Sequence, residues 1–393
     1  IMKSIASLYK IGCGPSSSHT MGPEQACNII KQEFDNITHI KVTLYGSLAL
    51  TGKGHLTDEV IKKTLQPISC NVNFDYTTKQ THPNTLTFDI SLADNSVVKW
   101  TVLSIGGGDI VIKEFEQEAV DPNVHKYNQF KQYQQHFESA DDIIDHLLQE
   151  DRQLSNHIDE VYEVMINSVN QGLTNTEVIP GKLQLKRCAK QMFDTATTKE
   201  LKLSSYAQAA SEQNASGGVV VTAPTCGACG IIPGICYYYA NDEQIDPTKI
   251  KRGLIIAGLI GDLVRHNATI SGAEGGCQAE VGTATSMGAA LFAYLNDESI
   301  DIIEQSAIIG LEHQLGLTCD PVLGYVQIPC INRNAMGVVK SLMAYEYAKH
   351  QPPMVIDLDD MIQVLYETGK DLKTEYRETS LGGLAKLYNE RNS

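Results

Sequence analysis

"SADDIIDHLLQE", residues 139–150, is where the chain changes character. Ser139 is a good helix N-cap, and Asp141 and Asp142 suit the positive end of a helix dipole. From here to the C-terminus the patterns are mostly helical. "DPTKIKRGLIIAGLIGDLVRH" (246–266), "QAEVGTATSMGAALFAYL" (278–295), "DIIEQSAIIGLEHQLG" (301–316), "RNAMGVVKSLMAYEYAKH" (333–350) and "DLDDMIQVLYETGKDL" (357–372) are the main examples. Their many small residues favour close helix packing, and Gly- and Pro-rich breaks separate them.

On the other side of Ser139 the pattern differs. "IKVTLYG" (40–46), "VNFDY" (72–76), "TLTFDI" (85–90) and "SVVKWTVLSIGGGDIVIKEF" (96–115) are rich in β-branched and aromatic residues with partial alternation, as strands are. Between the first two, "TDEVIKKTL" (57–65) has helical spacing, with Thr57 or Asp58 as its N-cap. The reading is an α+β protein: a small N-terminal sheet domain over 1–137, ending in a polar linker at about 116–137, then an all-helical domain over 138–393.

Composition narrows the function. Of 393 residues 42% are apolar and 20% charged, as in a globular protein, and the net charge of −16 argues against nucleic acid or an anionic membrane as partner. "IMKSIASLYK" lacks the apolar core and cleavage site of a secretory signal, and the run "GLIIAGLIG" from Gly253 meets Asp262 too soon for a membrane helix. A cytoplasmic location is expected. The ten cysteines then read as buried core residues, with a subset available for a metal or cluster.

Several stretches hold chemistry-bearing residues. "GPSSSHTMGPEQA" (14–26) puts Ser16, Ser17, Ser18, His19 and Thr20 at one turn, with Pro23 placed to open a helix. Such a turn is either a long helix cap or a seat for something small and polar. Cys277 and Cys330 each precede a helical pattern, and Cys319 precedes an Asp-Pro turn. A helix N-terminus favours a thiolate, yet small buried residues at tight turns would look the same. "TCGACG" (225–230) reads as a Gly-rich turn after an apolar strand rather than a zinc or redox site, and "SIGGGDIV" (104–111) as a bulge or sharp bend. In "LTGKGHLTD" (50–58) Lys53 and His55 sit on a Gly-flanked loop, where His is either a solvated bystander or a general base. His313 lies in a helical stretch and reads as a core residue.

Taken in order, "GPSSSHTMGP", "YGSLALTGKGHLTD", "SIGGG", "VTAPTCGACGIIP", "SGAEGGCQAEVG", "LEHQLGLTCDPVLGYVQIPCINRNA" and "YETGKDLKTEYRETSLGGLA" resemble the bacterial iron–sulfur L-serine dehydratases over nearly the whole chain. The resemblance implies a [4Fe–4S] cluster held by Cys277, Cys319 and Cys330, one open iron acting as Lewis acid on the serine hydroxyl, and a homodimer. It also implies an N-terminal domain related to a regulatory-type module. His55 is implied as the base that takes the α-proton, with Lys53 beside it. Ser16, Ser17, Ser18, His19 and Thr20 would bind the substrate carboxylate, and Thr222, Ala223, Pro224, Thr225 and Asn267 would complete the pocket. Pyruvate and ammonia would be the products.

The sequence departs from the family pattern in three places. No cysteine follows Cys330, so no tail thiolate is expected to cap the open iron. Cys226 stands where relatives commonly carry Asn, and Cys13 where an aliphatic residue is usual. Each would either supply a thiolate, retune the pocket for another β-substituent, or be harmless drift. The alternatives to L-serine dehydration are a lyase for cysteine or threonine and a non-catalytic amino-acid sensor. A pyridoxal-phosphate dehydratase would need a Schiff-base lysine, and no setting for one is recognisable.

Overall fold

The computed structural model describes residues 2–115 and 124–392. Its strands are β1 (Met2–Lys3), β2 (Ile11–Cys13), β3 (Ile37–Tyr45), β4 (Ser69–Asp75), β5 (Thr85–Leu92), β6 (Val97–Gly106), β7 (Asp109–Ile112), β8 (Val124–His125) and β9 (Val219–Val221). Helices α1 (Gly22–Glu33), α2 (Gly46–Thr51) and α3 (Thr57–Leu65) accompany the sheet. After it come α4 (Phe130–His136), α5 (Ala140–Glu150), α6 (Leu154–Thr174), α7 (Ala189–Thr195), α8 (Lys199–Ala215), α9 (Ile231–Asn241) and α10 (Pro247–Asn267). The chain ends with α11 (Gly272–Gly275), α12 (Thr283–Leu295), α13 (Ile300–Glu312), α14 (Cys330–Ala348), α15 (Leu358–Asp371) and α16 (Gly383–Asn392).

Five strands form one sheet in the order β4-β3-β5-β6-β7, with β3 parallel to β4 and the other pairs antiparallel. Alternation decides its buried face. Ile40, Val42 and Leu44 of β3 point to one side and meet Ala26, Cys27 and Ile30 of α1 and Ile61 and Leu65 of α3. The glycines of "SIGGG" make the β6–β7 turn, where Gly106, Gly107 and Gly108 all have positive φ and the register shifts after Ser104. The bend read from the sequence is there.

The helical part is built around α12, which is buried along its whole length and packs against α9, α10, α13 and α14. Small residues permit this. A Cβ on Gly288 would lie 2.7 Å from the Ser341 hydroxyl of α14 and 2.9 Å from Ile235 of α9. Ser139 caps α5 as expected, in a capping box with Asp142.

Other expectations need correction. The N-terminal arm does not join the sheet: β1 pairs with β8, β2 pairs with β9, and Ile5, Leu8 and Tyr9 enter the core of the helical part. Its apolar side chains find the larger core there. Helix α3 starts not from a Thr57 or Asp58 cap but from Leu56 in the left-handed region, φ 61°, because Asp58 pairs with Lys53 and Lys62 instead. His313 is not a core residue; it ends α13 with an exposed ring. Of the expected linker, residues 116–123 lie outside the described residues, and β8 and α4 occupy part of the rest. Among the described residues no helix is long and apolar enough to cross a membrane.

Candidate active site

The Ser-rich turn folds as one π-helical turn, Ser17–Met21, running straight into α1, so helical structure begins before Pro23. The Ser16 hydroxyl accepts from the His19 N–H at 3.1 Å as its cap. Thr20 closes the turn on itself: Oγ1 accepts from the Ser16 N–H and donates to the Ser16 carbonyl. Ser18 Oγ lies 2.8 Å from His19 Nδ1. Ser16, Ser18 and Thr20 are thus engaged inside the turn, and none of these bonds uses the hydroxyl of Ser17.

The fully buried ring of His19 has an assignable proton. Its Nε2 lies 2.9 Å from Thr51 Oγ1 and 3.2 Å from Ser47 Oγ. Those hydroxyls already donate to the carbonyls of Ser47 and Glu378, so they accept from His19. Nε2 therefore carries the hydrogen and Nδ1 accepts from Ser18. Burial lowers the pKa of His19 to about 4, and neighbouring His55 adds to the fall against the attraction of Glu378. The ring is neutral at physiological pH.

His55 stacks on it, ring centroids 4.3 Å apart. Strand β3 leads through α2 to the turn that holds His55. There Nδ1 faces the Thr51 carbonyl at 3.0 Å and must carry hydrogen, since a carbonyl only accepts. Nε2 lies 3.3 Å from Glu378 Oε1, and Glu378 reaches His19 Nδ1 at 3.7 Å. Donor atoms of His19, His55 and Glu378 all lie within 4.8 Å of one another.

On the other side lie the cysteines. Cys277 precedes the π-turn Gln278–Gly282 that leads into α12, Cys330 opens α14, and Cys319 pairs in a bridge with Arg377. Separate segments bring these thiols, two of them on buried residues and that of Cys330 on a half-buried one, into one electrostatic neighbourhood: Cys277 and Cys330 both raise the Cys319 pKa, and Arg333 senses all three. Burial pushes all three thiols up, Cys277 to about 11 even with Arg333 beside it. Thiols grouped round one cation suit a metal centre, which would deprotonate them. Gly272 leaves room there, since a Cβ on it would stand 2.4 Å from Glu280 and 3.3 Å from Cys319 Sγ. These residues fit an iron–sulfur cluster.

Glu280 joins the two halves. Thr225 Oγ1 donates to its Oε1 at 2.8 Å, and its Oε2 lies 4.0 Å from Cys319 Sγ. Burial, reinforced by repulsion from Glu378, pushes its carboxyl up to about 8. Glu378 is buried too, but the two histidines beside it outweigh that and hold it below the usual range. Of the two carboxyls Glu280 keeps the proton.

Several expected site residues lie elsewhere. Lys53 is 67% exposed, paired with Asp58 and lying over the Phe74 ring. Asn267, at the end of α10, is exposed and donates to the Leu263 and Asn128 carbonyls. Thr222 bridges the Leu8 carbonyl and the Lys10 N–H, which pins the arm. Ala223 is core, and the Pro224 carbonyl lies 3.6 Å from where a Cβ on Gly107 would sit. Cys226 is buried against Met21 Sδ, and its pKa is raised by burial and by Cys229, whereas Cys13 is exposed. Conversely Glu378, Glu280, Arg333, Ser47 and Thr51 were not singled out, although all five lie inside motifs quoted above. Their polar side chains carried no spacing that marked them.

Fold and site together define a class: a single chain whose sheet-bearing and helical parts both contribute to one buried histidine–carboxylate–thiol centre. Comparison with known proteins agrees. The family description "Serine dehydratase beta chain" matches residues 4–71 and "Serine dehydratase alpha chain" residues 59–385. L-serine dehydratase 2 of Escherichia coli K12 is 37% identical, with 98% of each chain covered. The L-serine dehydratase of Helicobacter pylori J99 is 37% identical over 98% of both chains, and that of Haemophilus influenzae Rd 36% over 98% of this chain and 99% of its own. The chain belongs to the serine dehydratase family.

Proposed function

We propose that this protein is a cluster-dependent L-serine ammonia-lyase, converting L-serine to pyruvate and ammonia. The observation that carries the reading is His55. Its Nδ1–H is fixed on the Thr51 carbonyl, so Nε2 is the one ring atom that can take a proton, and Glu378 stands beside it to stabilise the imidazolium that results. The same logic of a base oriented on one side and balanced on the other operates in catalytic triads.

Cys277, Cys319 and Cys330 would hold the [4Fe–4S] cluster. When bound, a cluster with three thiolate ligands supplies a Lewis-acidic iron for the β-hydroxyl of serine. The chain's own residues do the rest. His55 Nε2 receives the α-proton. Neutral His19 keeps the turn rigid through Ser18 and Thr51 without adding charge. The burial of the site excludes water from the reacting atoms. Loss of water from serine leaves 2-aminoacrylate, which tautomerises to an imine and takes up water to give pyruvate and ammonia. Ser17, whose hydroxyl is uncommitted, supports the carboxylate seat expected of the turn. Homodimer assembly belongs to this proposal, and the exposed Met336, Met343 and Tyr347 on α14 offer an apolar face for it.

Anaerobic cluster reconstitution followed by a pyruvate assay over L-serine, L-threonine and L-cysteine tests the reading. L-Serine is expected to be the preferred substrate, and His55→Gln to lower kcat roughly 10²–10⁴-fold. A reconstituted protein inert towards L-serine would refute it.

A further inference from the structure

The hydrogen bonds around the stacked histidines leave three acceptors facing one another. His19 directs its ring hydrogen away from Glu378, from Nε2 towards Thr51 Oγ1 at 2.9 Å and Ser47 Oγ at 3.2 Å. His55 directs its own to the Thr51 carbonyl, 3.0 Å from Nδ1. The unprotonated atoms, His19 Nδ1 and His55 Nε2, both face Glu378 Oε1, at 3.7 and 3.3 Å. Two nitrogen lone pairs and a carboxylate repel one another unless a positive centre lies between them.

A second, independent feature points the same way. Glu378 Oε2 is buried and has no hydrogen-bond partner. A buried acceptor left unpaired costs about 1–3 kcal/mol, and proton transfer at His55 makes no use of this one. His19, His55 and Glu378 are all buried, and one ligand atom from each lies within 4.8 Å of the others. Ser18 competes for one position, since its Oγ lies 2.8 Å from His19 Nδ1, but Ser16 Oγ at 3.4 Å offers it another partner.

We propose that His19, His55 and Glu378 form a zinc site, separate from the cluster thiols, through which Zn²⁺ inhibits the enzyme. Two imidazoles and one carboxylate are a familiar zinc ligand set, with the fourth tetrahedral position left to water. A ligating imidazole must carry its hydrogen on the other nitrogen and donate it to an oxygen, which fixes the ring and raises its basicity. Thr51 provides that oxygen for both rings, its hydroxyl for His19 and its carbonyl for His55. Imidazole suits zinc, and zinc imposes no geometry of its own from d electrons. A cation on His55 Nε2 occupies the nitrogen assigned to the α-proton. The inhibition rests on the reading of the protein as a serine lyase, whereas the binding site does not.

The test adds Zn²⁺ alone to the anaerobically reconstituted full chain. After dialysis one zinc per chain should remain with the iron count unchanged. Zinc-edge X-ray absorption should show nitrogen and oxygen ligands at about 2.0–2.2 Å and no sulfur at about 2.3 Å. Glu378→Gln and His19→Asn should each weaken zinc binding by more than the roughly 10–100-fold that loss of an outer partner costs. Bound zinc should lower pyruvate formation from L-serine roughly 10²-fold or more, as loss of a general base does, and a chelator should restore it. Sulfur in the zinc shell, iron lost as zinc enters, no zinc retained, or binding unchanged in both variants would overturn the site. Zinc held by nitrogen and oxygen without effect on an active parent would overturn the inhibition. A parent inert towards L-serine before zinc is added would refute the lyase reading and the inhibition, while the absorption spectrum would still decide the site.

Discussion

His19 and His55 lie ring against ring but hold their protons on different atoms, His19 on Nε2 and His55 on Nδ1. The hydrogen-bonding direction of their neighbours dictates both. The pKa of His19 falls from 6.5 to about 4 in the fold. The unfolded chain therefore binds the extra proton first, and stability is full above pH 6.5 and declines as pH falls towards 4. The loss should reach roughly 2–3 kcal/mol over that interval. Denaturant titration of the metal-free protein at several pH values checks this, and His19→Asn should flatten the profile. His55 and the three cysteines were legible because their motifs carried the resemblance. Lys53 and Asn267 misled because sequence does not say which way a side chain leaves a turn or a helix end. Glu378 was missed because only the fold brings its loop to His19.

Among the elements, the turn between α2 and α3 matters most. It holds His55 and is pressed against the turn at Val322–Gly324. A Cβ on Gly54 would lie 2.3 Å from the Leu323 carbonyl and 2.4 Å from the Gly324 carbonyl carbon, both backbone atoms that cannot swing aside. Gly54→Ala should therefore displace His55, with a kcat loss of about 10²-fold for a shift near 1 Å. Steady-state kinetics with a parallel melting curve separates this from general unfolding, since Thr51 and the rest of α2 keep their contacts. The strands were legible through alternation, as in β3, and the long helices through their period. The π-turns at Ser17 and Gln278 were not, because one extra residue per turn leaves no mark on an apolar pattern.

At the scale of the molecule, the chain crosses between its parts more than once. The arm threads into the helical core, where Tyr9 is fully buried and donates to the Leu254 carbonyl at 2.8 Å. Tyr9→Ala should cost roughly 3–5 kcal/mol, as loss of a buried aromatic does, measurable by denaturant unfolding. The division into a sheet part and a helical part was legible from residue 139 outward, whereas the path of the arm was not, because a short apolar segment does not reveal which core it joins. The active site draws on both parts: His19 and His55 come from the sheet side, and Glu280, Glu378 and the thiols from the helical side. The central claim is that three of those thiols hold one cluster. Iron and acid-labile sulfide counted after anaerobic reconstitution, for the parent and for Cys277→Ala, Cys319→Ala and Cys330→Ala, test it most directly. The account predicts one [4Fe–4S] cluster per chain in the parent and its loss or marked depletion in every variant; full iron and sulfide retained in any of the three would contradict it.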